Sequence, residues 1–184
     1  MRFSGWRVMP AWVAVALSVA GCSTPDPLIS FSDETATVCA PAQGASKTAW
    51  LAMDQIRNLT PHPVRVVNVE LDEPHGLELL GYSVHENGCV GPKQECVNDS
   101  PEISAIPPQG SINVTPYLAL ELRPSQASQG WAKGVWVTVE SSTGERVSHH
   151  SCITVSSAPV SCNPDITTVS VEGREERCNK TRKG

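Results

Sequence analysis

The sequence predicts an all-β domain of the sandwich type that is held together by disulfide bonds. Apolar and polar residues alternate in several stretches of strand length, and Pro- and Gly-containing turns separate them. Aromatic residues make up only 5% of the chain, so the core has to be built mainly from Val, Ile and Leu, which favour strands. The cysteine content is typical of an exported, disulfide-bonded protein. Beyond the N-terminal segment the sequence has no long 3.6-residue periodicity, so a βαβ arrangement is not expected.

The first 21 residues have the pattern of a targeting segment. Arg2 and Arg7 precede a 13-residue apolar run over residues 8–20, which is shorter than the ~20 residues of a spanning helix and suits a signal peptide. The following Val19-Ala20-Gly21-Cys22 resembles the bacterial lipobox. That resemblance implies cleavage before Cys22, which would carry diacylglycerol and palmitate-type acyl chains. An ordinary secretory signal with an incidental cysteine and a transmembrane anchor are the alternatives.

The lipobox resemblance also implies a location and a domain organisation. The mature protein would be membrane-anchored and face the extracytoplasmic side of a bacterial cell envelope. Ser23, not Asp, follows Cys22, which by the family's sorting rule implies the outer membrane where the host has one. We expect a signal peptide over residues 1–21, a Pro- and Ser-rich tether over 22–46, the β-sandwich over 47–156 and an extension over 157–184.

The charge balance of the expected mature chain argues against a nucleic-acid partner. Removal of the signal leaves 12 Lys and Arg residues against 19 Asp and Glu residues, and proteins that bind phosphate backbones need the opposite balance. The extension concentrates basic residues at Arg174, Arg177, Lys180, Arg182 and Lys183. This cluster predicts either a solvated tail or a contact with anionic lipid or wall polymer.

Six cysteines follow the lipidation site: Cys39, Cys89, Cys96, Cys152, Cys162 and Cys178. An even number in an exported chain predicts three disulfides, for which fifteen connectivities are possible. Closure of short loops favours Cys89 with Cys96 and Cys162 with Cys178, which leaves Cys39 with Cys152. Free reactive thiols are the alternative.

The strand-like stretches, in chain order, are residues 50–56, 64–71, 77–86, 103–106, 112–122, 135–139 and 145–155. Strict alternation puts Val67, Val69 and Leu71 on one face of the second stretch, and Leu80, Tyr82 and Val84 on one face of the third. Turns are expected at 58–63, 73–76 and 107–110, and a hairpin loop at 141–144. Pro116 interrupts the fifth stretch, which predicts a bent strand or an edge strand.

This succession of strands resembles the immunoglobulin-like domains of bacterial surface lipoproteins over about 100 residues. The similar pieces are Ile56-Arg57-Asn58 before an apolar strand, Pro107-Pro108-Gln109-Gly110 before a long one, and the 135–139 and 145–155 pair around its turn. The resemblance implies an immunoglobulin-like β-sandwich and no activity.

Motifs for catalysis are missing from the sequence. It has no G-x-S-x-G elbow and no Ser-x-x-Lys acyl-enzyme motif, and a Cys nucleophile would need a free thiolate. We therefore expect the protein to have no enzymatic activity and no cofactor. An unrecognised hydrolase is the remaining alternative.

The histidines are the candidate metal ligands. His149-His150-Ser151-Cys152 is rich in ligand types, and on a strand His150 and Cys152 would share a face about 7 Å apart, as copper or zinc ligands can. His85 begins an H-E-x-x sequence that ends in Cys89 instead of His. The sequence thus predicts a non-enzymatic binding or structural module for an unknown envelope protein or polymer, with copper or zinc binding by His149, His150 and His85 as the alternative.

Overall fold

The structure is a computed structural model that describes residues 25–31, 37–42, 47–86, 90–91, 101–110, 116–125, 129–162 and 180–184. Within these ranges the chain is all β, and its strands are β1 (Ile29–Phe31), β2 (Thr37–Pro41), β3 (Ala49–Asn58), β4 (Arg65–Asp72), β5 (Leu77–His85), β6 (Val90–Gly91), β7 (Tyr117–Pro124), β8 (Gly130–Ala132), β9 (Gly134–Glu140), β10 (Arg146–Ser151), β11 (Thr154–Ala158) and β12 (Thr181–Lys183). The all-β prediction is confirmed. No helix in the described ranges is long and apolar enough to cross a membrane.

The strands form three sheets. The five-stranded sheet has the order β1-β3-β7-β5, with β6 also pairing with β3, and the four-stranded sheet has the order β12-β10-β9-β4. A small sheet of order β2-β11-β8 contains a parallel pair, β2 with β11. The apolar faces of the two larger sheets share one core, to which they contribute Leu51, Ile56, Leu118, Leu120, Leu122, Val135, Val137, Val139 and Val147.

Three β-bulges change which residues reach this core. The register of β4 against β9 shifts between Val66 and Asn68, so Val66, not Val67, packs on the core beside Val69 and Leu71. An extra residue on one strand reverses the phase of the period-two alternation. The prediction that Val67 shares a face with Val69 and Leu71 is therefore wrong.

The other two bulges act in the same way. In β5 the register shifts between Leu79 and Gly81, which leaves Leu80 exposed and packs Leu79 on the core. The face predicted for Leu80 is also wrong. In β3 the shift falls between Ala52 and Asp54, and Asp54 becomes a buried acid.

Two further strand predictions need correction. β7 begins directly after Pro116 and lies between β3 and β5, so it is a central strand, not an edge strand. Because it starts after Pro116, the missing proline N–H costs the sheet no hydrogen bond. The stretch 145–155 is two strands, since β10 and β11 belong to different sheets.

The hairpin loop at 141–144 is confirmed, as β9 and β10 pair around it in antiparallel order.

The described parts of the expected tether and extension belong to the sheets. β1 pairs with β3, and β2 pairs with β11, with Ile29 and Phe31 buried. β12 pairs with β10. Described strands therefore lie in both the 22–46 and the 157–184 ranges, which the sequence predicted as a tether and an extension. Residues 163–179 of the expected extension lie outside the described residues.

The disulfide that the structure describes joins Cys39 of β2 to Cys162, just beyond β11. The predicted pairs Cys39–Cys152 and Cys162–Cys178 are therefore wrong. Cys152 is also disulfide-bonded. The prediction chose the cysteine pairs that close the shortest loops. In the structure, the parallel pairing of β2 with β11 brings together two cysteines that lie 123 positions apart.

Candidate functional site

The molecule presents two sheet faces that point away from the shared core. The outer face of the five-stranded sheet carries Trp50, Gly81, Ser83, His85, Ala119 and Glu121, and we call it the covered face. The outer face of the four-stranded sheet, which we call the charged face, carries Arg65, Asn68, Glu70, Asp72, Trp136, Thr138, Glu140, Arg146, Ser148, His150 and Arg182. The two faces differ in burial and in chemistry.

At one end of the charged face, Glu140 lies between two arginines. Its Oε1 atom is 2.6 Å from Nη2 of Arg65, and its Oε2 atom is 2.7 Å from Nε of Arg146. The hydrogen bonds from Arg146 and then Arg65 hold the pKa of the Glu140 carboxyl below its usual value. The carboxylate side chain is only 14% exposed, whereas the two guanidinium side chains are 63% and 58% exposed. Solvent therefore meets the cations first.

The middle of the charged face holds an arginine stacked on a tryptophan. The guanidinium carbon of Arg182 lies 4.4 Å from the centroid of the Trp136 ring, and its Nη2 atom donates to Oε2 of Glu70 at 2.7 Å. Asn68 donates to the other oxygen of Glu70 at 3.0 Å. Beside them the hydroxyls of Thr138 and Ser148 are hydrogen-bonded at 2.8 Å. Arg182 is thus fixed by an aromatic ring and a carboxylate together.

At the other end, His150 bonds to Asp72. Its Nε2 atom lies 3.1 Å from Oδ2 of Asp72, and its ring centroid lies 4.7 Å from that of Trp136. Gly134 makes room for this imidazole, because a Cβ atom there would lie 2.7 Å from Nε2 of His150 and 2.5 Å from the Ser151 carbonyl oxygen. The histidine is a fixed element of this face.

An open groove of about 440 Å³ crosses the charged face. It is lined by Val67, Asn68, Glu70, Thr138, Arg146, Ser148, Arg182, Lys183 and Gly184. Small-molecule sites in proteins typically measure ~300–1,000 Å³. The groove combines cations, hydroxyls, an amide and a carboxylate, so it could hold a polar ligand without covalent chemistry.

The covered face holds a smaller pocket of about 130 Å³, lined by Trp50, Gly81, Tyr82, Ser83, His85, Glu102 and Glu121. The Oγ atom of Ser83 lies 2.7 Å from Nε2 of His85, and the His85 ring meets the Trp50 ring edge-on with centroids 5.9 Å apart. A serine bonded to an imidazole is the pair that an activated nucleophile needs. Here both side chains are buried neighbours on one strand, and they are hydrogen-bonded to each other.

His149 faces the core, because it follows Val147 by two positions and pairs with Val137. It is only 3% exposed, and burial lowers its pKa from the usual value to about 4. The backbone N–H of Leu28 donates to its Nε2 atom at 3.4 Å. An imidazole that accepts at Nε2 is neutral and carries its proton on Nδ1, so His149 is a buried structural residue that links β10 to the segment just before β1.

The three histidines predicted as metal ligands lie in three places: His149 in the core, His150 on the charged face and His85 on the covered face. His150 and Cys152 do share a side of the chain, with Nδ1 and Sγ 3.9 Å apart, but this sulfur is in a disulfide and is not a thiolate. In the described ranges no three His, Cys, Asp or Glu residues are arranged to hold a metal ion. Cys22, Cys89, Cys96 and Cys178 lie outside those ranges.

Sequence reasoning missed most of the charged face. Glu70 belongs to the alternating pattern of residues 64–71, and Trp136 belongs to that of residues 135–139. In each pattern the residue lies on the face opposite to the apolar one. Nothing in either pattern showed that β4 and β9 are neighbours. Arg182 stood in the basic cluster of the extension, but its pairing with Glu70 depends on β12 joining the sheet.

Comparison of the chain with protein-family models, with curated proteins and with solved structures finds no match. The argument about function therefore depends on the residues of the two faces.

Proposed function

We propose that the protein is a lipid-anchored binding module of the bacterial cell envelope, with an immunoglobulin-like sandwich whose charged face binds an envelope component. The anchor is supported by the lipobox-like sequence ending at Cys22. The disulfide between Cys39 and Cys162 supports export, because such bonds persist in oxidising compartments.

One observation carries the binding role: the side chains around the groove are held in place before any ligand arrives. Arg182 is fixed between Trp136 and Glu70, and Arg146 is fixed on Glu140. Binding to ordered side chains avoids the loss of ~0.5–1.5 kcal/mol of rotamer entropy for each of them. A binding surface benefits from such order.

Photo-cross-linking from two positions tests the binding role. A photoreactive amino acid replaces Asn68 in the groove or, as the matched control, Leu80, which is exposed on the other sheet. In cells that make the full-length chain, we expect a discrete cross-linked envelope species from position 68 and none from position 80. Equal products from both positions, or none from position 68, would overturn the binding role.

Lipidation is tested separately through Cys22. We expect the intact mass of the detergent-extracted protein to correspond to residues 22–184 with diacylglycerol, and labelling with palmitate to disappear in Cys22→Ser. Persistent labelling in that variant would show that the anchor is elsewhere.

The alternative, a copper or zinc protein, has less support because His85, His149 and His150 face three different regions. It predicts stoichiometric metal in protein purified without a histidine tag. Metal-free protein that takes up neither ion at micromolar concentration would remove this alternative.

A further inference from the structure

We infer that the groove on the charged face takes an acidic glycan, that is, a sugar chain bearing carboxylate or phosphate groups. The inference rests on the proposed binding role of this face and names the chemistry of its ligand. Three properties of the groove lead to it: its local charge, its uncharged hydrogen-bonding groups and its recessed shape.

The local charge is opposite to that of the whole chain. Among the described residues that line the groove, Arg146, Arg182 and Lys183 are cationic and Glu70 is the one acidic side chain. The ion pair of Arg65 with Glu140 lies beside them. The chain as a whole has a formal charge of −5. In such a chain a cationic groove is a local feature, and it favours an anionic occupant.

The geometry of these cations suits carboxylates and phosphates. Arg65 and Arg146 share the single, largely covered Glu140, so their exposed guanidinium groups keep N–H donors that Glu140 cannot occupy. Arg182 is about half exposed although it is stacked and paired. Planar guanidinium groups recognise carboxylate and phosphate through paired hydrogen bonds.

The uncharged groups add a preference for sugar hydroxyls. The hydroxyls of Thr138 and Ser148, which are hydrogen-bonded to each other, lie at the floor of the groove. Asn68 and Glu70 also line the groove. A ligand with many hydroxyls can use such alternating donors and acceptors, whereas an isolated anion cannot.

The shape of the groove favours a glycan over a membrane surface. The backbone of β12 and Gly184 forms one wall, close enough that a Cβ atom on Gly184 would lie 2.6 Å from Cγ2 of Thr138. The groove floor, with Thr138 and Ser148, is buried. A planar array of lipid headgroups would reach the protruding arginines but not this floor.

The test measures the binding of defined oligosaccharides to the full-length, detergent-extracted protein by calorimetry. The anionic compounds are tetragalacturonic acid and a phosphorylated mannose oligosaccharide, and the neutral comparison is galactotetraose. We expect at least one anionic compound to bind at millimolar concentration or below, more weakly as salt is raised, and the neutral one to bind at least about tenfold more weakly.

Three variants assign that binding to the groove. Arg146→Gln and Arg182→Gln should each weaken binding about tenfold, and Arg182→Lys should fall between them and the parent protein because it keeps the charge but loses the fork. The matched control is Arg123→Gln, which removes an exposed arginine paired with Glu78 at 2.7 Å on the other sheet and should leave binding unchanged. Circular dichroism confirms that each variant is folded.

Several results would overturn the inference and leave the proposed function in place. These are equal binding of the neutral tetrasaccharide, no binding of either anionic compound at millimolar concentration, and an equal loss in Arg123→Gln. Binding only to phosphatidylglycerol vesicles, lost in the same two groove variants, would assign the groove to lipid headgroups instead. Failure of cross-linking from position 68 would remove the proposed binding role itself.

Discussion

The covered face and the charged face are both built from alternating strands, but they use their outward residues in opposite ways. On the covered face Trp50, Ser83 and His85 are buried. On the charged face Arg65, Arg146 and Arg182 remain about half exposed or more.

The two sheets also differ in what pairs with their edges. β6 extends the five-stranded sheet beyond β3, and residues 101–103 extend it beyond β5 through backbone hydrogen bonds to Val84 and Glu86. At the four-stranded sheet, β12 adds only three residues at one edge. On the covered face Ser83 and His85 are hydrogen-bonded to each other, whereas the arginines of the charged face are held in place and still open to solvent. Only the second arrangement suits a ligand from outside.

The largest expected effect is a difference in stability loss when the tryptophan of each face is replaced by alanine. Trp50→Ala should reduce the free energy of unfolding by about 4 kcal/mol, because it leaves a large cavity beside Ala119 and His85. Trp136→Ala should cost only about 1 kcal/mol, because this ring is half-buried and loses mainly its contacts with Arg182 and His150. Urea unfolding of both variants measures the difference. Equal losses would show that the two faces are covered to the same degree.

The next effect concerns the core histidine that lies between the faces. His149 has a pKa of about 4 in the folded protein and an ordinary value near 6.5 when unfolded. Since the unfolded chain binds this proton more readily, the stability present above pH 6.5 is lost as the pH falls towards 4, by about 3 kcal/mol.

The comparison that isolates this effect is the parent protein against His149→Gln, each unfolded in urea between pH 7 and pH 4. The variant lacks the titrating group, while Asp54, which accepts from the neighbouring Ser151 on the same side of the core, remains in both. The stability difference should therefore change with pH in the direction given above. A pH-independent difference would mean that His149 is not desolvated in the folded state.

A smaller effect is expected from adding one methyl group at equivalent places on the two faces. Gly134→Ala should lower the free energy of unfolding by about 2 kcal/mol, because the new Cβ atom collides with His150 and the Ser151 carbonyl. Gly81→Ala on the covered face is the control, since its Cβ atom would meet only Glu121 at an ordinary 3.8 Å. A neutral Gly134→Ala would contradict the tight placement of His150 against β9.

The smallest effect is electrostatic and should leave stability almost unchanged. In Arg146→Gln the pKa of Glu140 should rise towards its usual value, because the largest of the hydrogen bonds that hold it down is removed. Carboxyl NMR titration measures this change, and Arg123→Gln should not affect Glu140. A constant Glu140 pKa would show that Arg146 does not hold this carboxylate in solution, which would also weaken the case for the groove.

The sequence by itself determined that this protein is all β and where most of its strands and turns lie. The stretches 50–56, 64–71, 77–86 and 135–139 all became strands, and residues 141–144 became the hairpin loop. Alternation, proline and β-branched residues act within a few positions, so they can be recognised without knowing what packs against them.

Only the tertiary structure decided which faces those strands bury and which residues meet. The bulges at Val67 and Leu80 reverse the alternation, and an extra residue becomes visible only against the register of the partner strand. Cys39 and Cys162 pair because β2 and β11 are neighbours. Arg182 reaches Glu70 from 112 positions away along the chain, and it stacks on Trp136 of a different strand. Contacts of this kind depend on how distant apolar faces bury one another, and no local pattern in the sequence contains that information.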